Sequence, residues 1–358
     1  WNVTLSAEQT PWVSSVSISP DGSLIAVSQI VPGCCHGTVT NTSSNKVILF
    51  DHSGKKVEEY PTANPPLASA ISGNNRDILI GTEDGRIICL DRNGTLRWTT
   101  KVDAPVLTLA TSRDGSTIIA TGESNFLFSK TYNEPLSPHD LFALSENGTL
   151  LWNYQTRGWN AAAISDSGSS FAAIERVSGT LRLFNLTGLV AVVPVYPGGL
   201  ESLAVAGNGN LIVTRTPSGD VYSFTGTGSR SWTLPEEQGS QGIAITGSDN
   251  IVLLGDGSNL RLYSRSGAEI ANKSLDGSVQ VIAAARSVGS VVAATDRSLF
   301  FFPNNVLVNG SKSNDLMPTV TGQSPAVGPS PSHKAAVGPI VTVLAFIIGG
   351  IGIVAIRN

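Results

Sequence analysis

Charged side chains are scarce in this 358-residue chain, where Asp, Glu, Lys and Arg together make up 14% of the residues. About a quarter is usual for soluble proteins, so the composition argues against a long-helix or coiled-coil protein. The net charge of −4 provides no basic surface to neutralise phosphates, so we expect no nucleic-acid partner. A hydrophobic content of 41% excludes a disordered chain, because disorder combines low hydrophobicity with high net charge.

Methionine occurs once, at Met317, so the sequence begins at Trp1 without an initiator. We expect that a secretory signal peptide was removed before Trp1, which predicts an exported protein.

Residues that commonly perform catalysis are also few. The sequence has four histidines and contains no G-x-S-x-G elbow, Walker loop or H-E-x-x-H run. His52 falls in a predicted turn and His333 in a predicted linker, which leaves His36 and His139 for a site. We therefore expect a non-catalytic protein with no catalytic residues, no cofactor and no metal.

One long run, residues 335–356, carries no charge, and Lys334 and Arg357 bracket it. About 22 residues at a helical rise of 1.5 Å reach across the roughly 30 Å of a bilayer core. The run predicts a single transmembrane helix, with the C-terminus in the cytoplasm and the preceding domain outside the cell. Residues 306–334, rich in Pro, Ser and Thr, are predicted to be an extended linker.

Small residues recur at heptad spacing along this predicted helix. Such a stripe lets another transmembrane helix approach closely, although glycine is also common in membrane spans for other reasons. The stripe consists of Gly338, Thr342, Ala345, Gly349 and Gly352.

The rest of the chain repeats with a period of about 40 residues. A strand, a polar turn with glycine and a second strand that often carries tryptophan recur at Gly54, Gly94, Gly148, Gly188, Gly228 and Gly267. Together with a second recurring hairpin turn, each unit predicts four short strands, which is typical of a β-propeller blade. Seven units fit, and residues 1–6 are predicted to pair with the last blade, a place for which residues 306–310 compete.

The D-x-x-G-x-x-x-W run of Asp91–Trp98 and a similar run that ends at Trp152 resemble the PQQ-like and WD-repeat propellers of exported bacterial and archaeal surface proteins. Only Thr187–Gly188 and Thr227–Gly228 keep the Thr-Gly pair usual in the PQQ-enzyme repeat, and no blade ends in Trp-Asp. The resemblance implies an all-β, seven-bladed propeller over residues 1–305, in four-stranded blades.

Two blades carry long insertions, at 28–46 and 123–140, each between the second and third strands. In a propeller these connections emerge on one face, so the two loops should flank blade 2. Long loops on a rigid scaffold commonly bind ligands or partners. The predicted binding-face residues are Cys34, Cys35, His36, Phe126, Phe128, Tyr132, His139 and Asp140.

The three cysteines divide into an adjacent pair and a distant residue. Exported proteins favour oxidised cysteines, so we predict a Cys34–Cys35 disulfide, with metal binding by Cys34, Cys35 and His36 as the alternative. Cys89 is placed in the third strand of blade 2, at the opposite face, and is predicted to be a buried thiol beyond disulfide reach.

Two further sets of residues have structural and functional interpretations. The repeated Trp98, Trp152 and Trp232 are predicted to pack between neighbouring blades rather than to stack on a ligand.

Seven N-x-S/T sequences are glycosylation candidates. An asparagine that precedes glycine is also a common turn residue, so turn formation explains some of these asparagines without glycosylation. They lie at Asn2, Asn41, Asn93, Asn147, Asn185, Asn272 and Asn309.

These features predict a membrane-anchored extracellular propeller that binds other membrane or surface proteins through its face and its transmembrane helix. One alternative is a membrane-tethered quinoprotein-like dehydrogenase or other propeller enzyme, since PQQ-dependent dehydrogenases also carry adjacent cysteines; their acidic calcium ligands have no counterpart here. A second alternative is a self-assembling surface coat or filament, with homo-oligomeric contacts.

Alkylation of the unfolded chain tests the cysteine prediction. Without reduction, mass spectrometry should detect one alkylated residue, Cys89, because Cys34 and Cys35 are bonded to each other. After reduction it should detect three. Three alkylated residues before reduction would contradict the disulfide, and Cys89→Ser should abolish the single unreduced signal.

Overall fold

A computed structural model describes residues 2–4, 12–30, 45–122, 139–156, 159–175, 178–235, 242–246, 251–285, 289–296, 298–303, 343–348 and 351–356. These residues form strands and the turns between them. Seven antiparallel sheets of four strands follow one another along the chain, as blades of one ring. The predicted seven-bladed propeller of four-stranded blades is confirmed.

Within each blade the strands are hydrogen-bonded in chain order, from the ring axis outward. The first strand of the chain, β1 (Asn2–Thr4), belongs to the last blade. Blade 1 comprises β2 (Trp12–Ile18), β3 (Leu24–Ile30), β4 (Lys46–Asp51) and β5 (Lys56–Pro61); blade 2, β6 (Pro66–Ile71), β7 (Asp77–Thr82), β8 (Arg86–Asp91) and β9 (Leu96–Lys101); blade 3, β10 (Val106–Thr111), β11 (Thr117–Gly122), β12 (His139–Ser145) and β13 (Leu150–Thr156); and blade 4, β14 (Trp159–Ile164), β15 (Ser170–Glu175), β16 (Thr180–Asn185) and β17 (Gly188–Pro194).

The remaining three blades repeat this order, except that blade 7 takes its outer strand from the N-terminus. Blade 5 comprises β18 (Ser202–Val205), β19 (Ile212–Arg215), β20 (Val221–Phe224) and β21 (Arg230–Leu234); blade 6, β22 (Ile243–Ile245), β23 (Ile251–Asp256), β24 (Asn259–Ser264) and β25 (Glu269–Ser274); and blade 7, β26 (Val279–Ala284), β27 (Val291–Thr295), β28 (Ser298–Phe302) and β1.

Strand β1 closes the ring. It pairs antiparallel with β28, placing Asn2 opposite Phe300 and Thr4 opposite Ser298. The predicted pairing of the N-terminal strand with the last blade is confirmed, over three of the six residues proposed. Because β28 gains a partner, it does not present a free edge to other chains.

The core lies between neighbouring blades. Inner strands such as β7, DILIGT, are buried along their whole length because other blades cover both of their faces. Outer strands such as β9, LRWTTK, alternate between exposed and half-buried residues, because only one face meets the next blade. One apolar cluster joins blades 1 and 7 across the closure, through Val27, Val292 and Leu299 among others.

The repeated hairpin between the first and second strands depends on local side-chain hydrogen bonds. In blade 3 the Ser112 hydroxyl donates to Asp114 Oδ1 at 2.6 Å, which also accepts the Ser116 amide at 3.0 Å. These hydrogen bonds lower the pKa of the Asp114 carboxyl, because they favour its charged form. In blade 2, Asn75 takes the turn position with a φ of 55°, a left-handed conformation that asparagine tolerates.

The predicted transmembrane helix over 335–356 is not supported. Within that range the structure has two strands, β29 (Val343–Ile348) and β30 (Ile351–Ile356), paired antiparallel. Valine and isoleucine make up three of the six residues of β29 and four of the six of β30, and their branched side chains favour extended backbone. In the part of the chain that the structure describes, no helix is long and apolar enough to cross a membrane.

Of the predicted small-residue stripe, the described residues Ala345 and Gly352 lie in these two strands. Ala345 lies opposite Val354, and Gly352 opposite Ile347, in the ladder of the two strands. Gly338, Thr342 and Gly349 lie outside the described residues.

Proline in β1 tests the ring closure. In a strand, alternate amides face the partner, so Val3→Pro combined with Thr4→Pro removes at least one donor of the β1–β28 ladder. We expect the double variant to lose about 2–4 kcal/mol of the free energy of unfolding, measured by denaturant titration. Val3→Thr with Thr4→Val retains both amides and should unfold like the wild type; equal stability of the two double variants would contradict the closure.

Candidate functional site

The two insertions emerge where they were predicted. They follow Ile30 at the end of β3 and Gly122 at the end of β11, which are second strands of blades 1 and 3. Both therefore leave the same face of the ring, here called the loop face, on either side of blade 2. His139 and Asp140 begin β12, opposite Thr156 and Gln155 in the ladder. The other predicted binding-face residues lie outside the described residues, namely Cys34, Cys35, His36, Phe126, Phe128 and Tyr132, and their roles remain predictions.

Cys89 is a free, buried thiol in β8, the third strand of blade 2. Burial, with a smaller effect from the Asp77 carboxylate, raises its pKa to about 12. A thiol is nucleophilic only when deprotonated, so Cys89 is inert in the folded protein. Its predicted position and burial are confirmed.

A cavity of about 160 Å³ lies on the ring axis, lined by the first strands of all seven blades. Its lining residues carry no charge, and several hydroxyls already bond between blades. Ser14 Oγ donates to the Pro66 carbonyl at 2.5 Å, and Ser15 Oγ lies 3.2 Å from Ser69 Oγ. This cavity suits water or a small neutral group. No group of three or more His, Cys, Asp or Glu that could hold a metal occurs among the described residues.

Ion pairs line the loop face of blades 4, 5 and 6, and the pair in blade 5 is buried on both sides. In each of these blades the last residue of the second strand takes part: Glu175, Arg215 or Asp256. The atom pairs are Glu175 Oε2 and Arg182 Nη2 at 2.9 Å, Glu201 Oε2 and Arg215 Nη1 at 3.8 Å, and Asp256 Oδ2 and Arg261 Nε at 3.1 Å. Since a buried charge needs an opposite charge nearby, these residues hold the strand ends together.

The repeated tryptophans join neighbouring blades. Trp98 Nε1 donates to the Glu146 carbonyl of blade 3 at 2.8 Å, and a Cβ on Gly148 would lie 2.5 Å from the Trp98 ring. Trp232 Nε1 donates in the same way to the Arg265 carbonyl of blade 6. Trp152 stacks on Phe171 of blade 4, with ring centroids 5.4 Å apart. The predicted packing role of these tryptophans is confirmed.

Blades 1, 4 and 6 lack this tryptophan. Trp98 lies opposite Cys89 in its ladder, and the corresponding position opposite Leu183 holds Ala191. A small side chain at this position coincides with an apolar cleft of about 120 Å³ beside blade 5, lined by Leu183, Phe184, Val190, Val205 and Ile212 among others.

The outer strand of blade 4, β17, also exposes apolar side chains without any charge. Its sequence is GLVAVVP, and Val190 is 60% exposed. The outer strand of blade 3, LLWNYQT, is likewise uncharged and exposes Leu150 and Leu151. By contrast, the outer strands β5, β9, β21 and β25 each carry Lys, Arg or Glu, the usual protection of an exposed edge. We call the exposed side chains of blades 3 and 4 the apolar rim: Leu150, Leu151, Leu186, Leu189, Val190 and Val192.

The glycosylation candidates differ in accessibility. Three are exposed, whereas Asn185 is half-buried and its Oδ1 accepts hydrogen bonds from the amide and hydroxyl of Thr187. Their modification remains a prediction. The exposed residues are Asn93, Asn147 and Asn272; Asn2 lies in β1; Asn41 and Asn309 lie outside the described residues.

Residues 43–198 match the family model described as outer membrane protein assembly factor BamB. The match confirms the resemblance to PQQ-like propellers. It covers somewhat less than half of the chain, from β4 of blade 1 to the end of β17 in blade 4. No curated protein matches the chain significantly.

The buried pair of Glu201 and Arg215 provides a stability test. Glu201→Gln removes the carboxylate beside an arginine that is only 2% exposed, so the variant should lose about 3 kcal/mol of the free energy of unfolding. Glu59→Gln removes a carboxylate from a partly exposed pair with Lys46 and should cost less than about 1 kcal/mol. Denaturant titration of both variants measures the difference; equal losses would contradict a structural role for the buried pair.

Proposed function

We propose that this chain is a non-catalytic protein-interaction subunit of a cell-surface or membrane assembly. The apolar rim carries the proposal. A monomeric soluble protein rarely groups uncharged, exposed aliphatic side chains on an unprotected sheet edge, and such surfaces are typical of protein contacts. Since the matching family model is described as an assembly factor of outer membrane proteins, an interaction role agrees with that resemblance.

The rim favours an extended protein segment as its partner. A segment that adds to β17 would bond with the unpaired edge of blade 4, because an outer strand has a partner on one side only. Val190 stands beside the apolar cleft between blades 4 and 5, so a side chain of that segment would find an apolar surface there. The predicted loop face beside blade 2 is a second contact surface in this proposal.

An exported, membrane-attached location is part of the proposal. The uncharged run 335–356 supports attachment through its apolar character and length, and the linker 306–334 would hold the propeller away from the bilayer. Fractionation of cells that express the full chain or a form ending at residue 305 tests this. The full chain should stay with membranes after alkaline carbonate extraction, whereas the shortened form should be released.

Photo-crosslinking tests the interaction role. Benzoyl-phenylalanine at position 190 should give a discrete crosslinked protein in the native host, identified by mass spectrometry. Val192→Lys in the same chain should weaken that crosslink at least several-fold, because it places a desolvated charge in the contact.

Position 57 is the matched control, because Val57 is 51% exposed on β5, a charged outer strand of blade 1. The probe at position 57 should not give the same product. Identical products from both positions, or none from position 190 in a folded protein, would contradict the proposal, and crosslinks between identical chains would favour a self-assembling coat.

A further inference from the structure

Blade 2 carries an arginine-lined depression on the face opposite the loop face. It lies between the hairpin turn at residues 74–76 and the outer turn at residues 91–93, with a volume of about 490 Å³. Its lining residues are Asn74, Asn75, Arg76, Asp91, Arg92, Asn93 and Arg97. We call it the arginine depression.

The charges in this depression are not balanced internally. Arg97 pairs with Asp77, and Asp91 Oδ1 accepts the amides of Asn93 and Thr95, each at 2.8 Å. Arg76 and Arg92 are exposed, and neither guanidinium has a hydrogen-bond or ion-pair partner within the described ranges. With Arg97 matched by Asp77, the two exposed guanidiniums outweigh the single Asp91 carboxylate, so the depression carries a net charge of +1 (two positive, one negative) in a chain whose net charge is −4.

The equivalent turns of the neighbouring blades do not repeat this charge. Blade 3 has Arg113, Asp114 and Glu146 in the two turns, and blade 1 has Asp21, Asp51 and Lys55. Arginines in both turns are thus a particular feature of blade 2 among these three blades. The propeller scaffold itself does not require them, because blades 1 and 3 fold without them.

We propose that the arginine depression binds carboxylates of an acidic segment of a partner protein. The planar guanidinium matches a carboxylate with two parallel hydrogen bonds. The volume exceeds that of a single carboxylate, so neighbouring Asp or Glu side chains of one segment fit together. That the partner is a protein rests on the proposed interaction role. The residues of the arginine depression are separate from those of the apolar rim.

Binding of an acidic peptide to the purified full-length protein tests the site. Fluorescein-labelled oligoglutamate should bind in a fluorescence-anisotropy titration at low salt, and oligoglutamine should not. Arg76→Gln combined with Arg92→Gln should weaken binding about tenfold, as expected for two solvent-exposed charge pairs. Binding should also weaken with added salt, because the screening length is only about 10 Å at 0.1 M.

The matched control is Lys55→Gln combined with Arg265→Gln, which removes the same charge from exposed outer turns of blades 1 and 6. It should bind oligoglutamate like the wild type. Equal loss in both double variants would show attraction to net charge only, and unchanged binding in the arginine variant would place the site elsewhere; either overturns the proposal. Competition by inorganic phosphate as strong as by oligoglutamate would also overturn it, in favour of a compact-anion site.

The peptide measurement needs no native partner, so its outcome is separate from that of the crosslinking at position 190. Loss of peptide binding with an intact crosslink rejects only the arginine depression. A missing crosslink with intact peptide binding rejects the apolar rim.

Discussion

The whole structure depends on the pairing of β1 with β28. Each blade buries its inner strands against two neighbours, so the apolar surfaces of blades 1 and 7 are covered only when the ring is closed. That closure joins residues near the N-terminus to residues near 300 through a short backbone ladder. The tryptophan contacts then fix blades 2, 3 and 5 against the next blade, while the ion pairs and turn hydrogen bonds fix strands within single blades. The apolar rim and the arginine depression are fixed in space by the same closed ring.

Much of this fold could be predicted from the sequence because its determinants are local and repeated. Polar turns with glycine recur at nearly constant spacing, and a side chain such as Asp114 organises its own hairpin within a few residues. Burial of Cys89 follows from its place in an inner strand. The helix that the sequence predicts for the C-terminal run is not supported, since an uncharged apolar run shows no periodicity that separates a helix from paired strands.

The apolar rim and the arginine depression could not be predicted in the same way, because they depend on elements that are brought together only by the fold. Ala191 is unremarkable until its ladder position is compared with that of Trp98. Arg76 and Arg92 come together only because two turns of one blade share a face. Both surfaces lie within residues 43–198, the part of the chain that matches the BamB family model. For the apolar rim, the sequence itself offers one indication, which is the absence of charged residues from β17.

The chain order of the closing strand has a consequence for biogenesis. Asn2 is synthesised before its partner Phe300, and nearly the entire propeller lies between them in the chain. Until then β28 has no outer neighbour, and one side of blade 1 faces solvent instead of blade 7. Closure is a contact of very long sequence separation, which is slow to form and leaves edges open to association meanwhile. The nascent propeller is therefore open to association through these edges until its last blade has been synthesised.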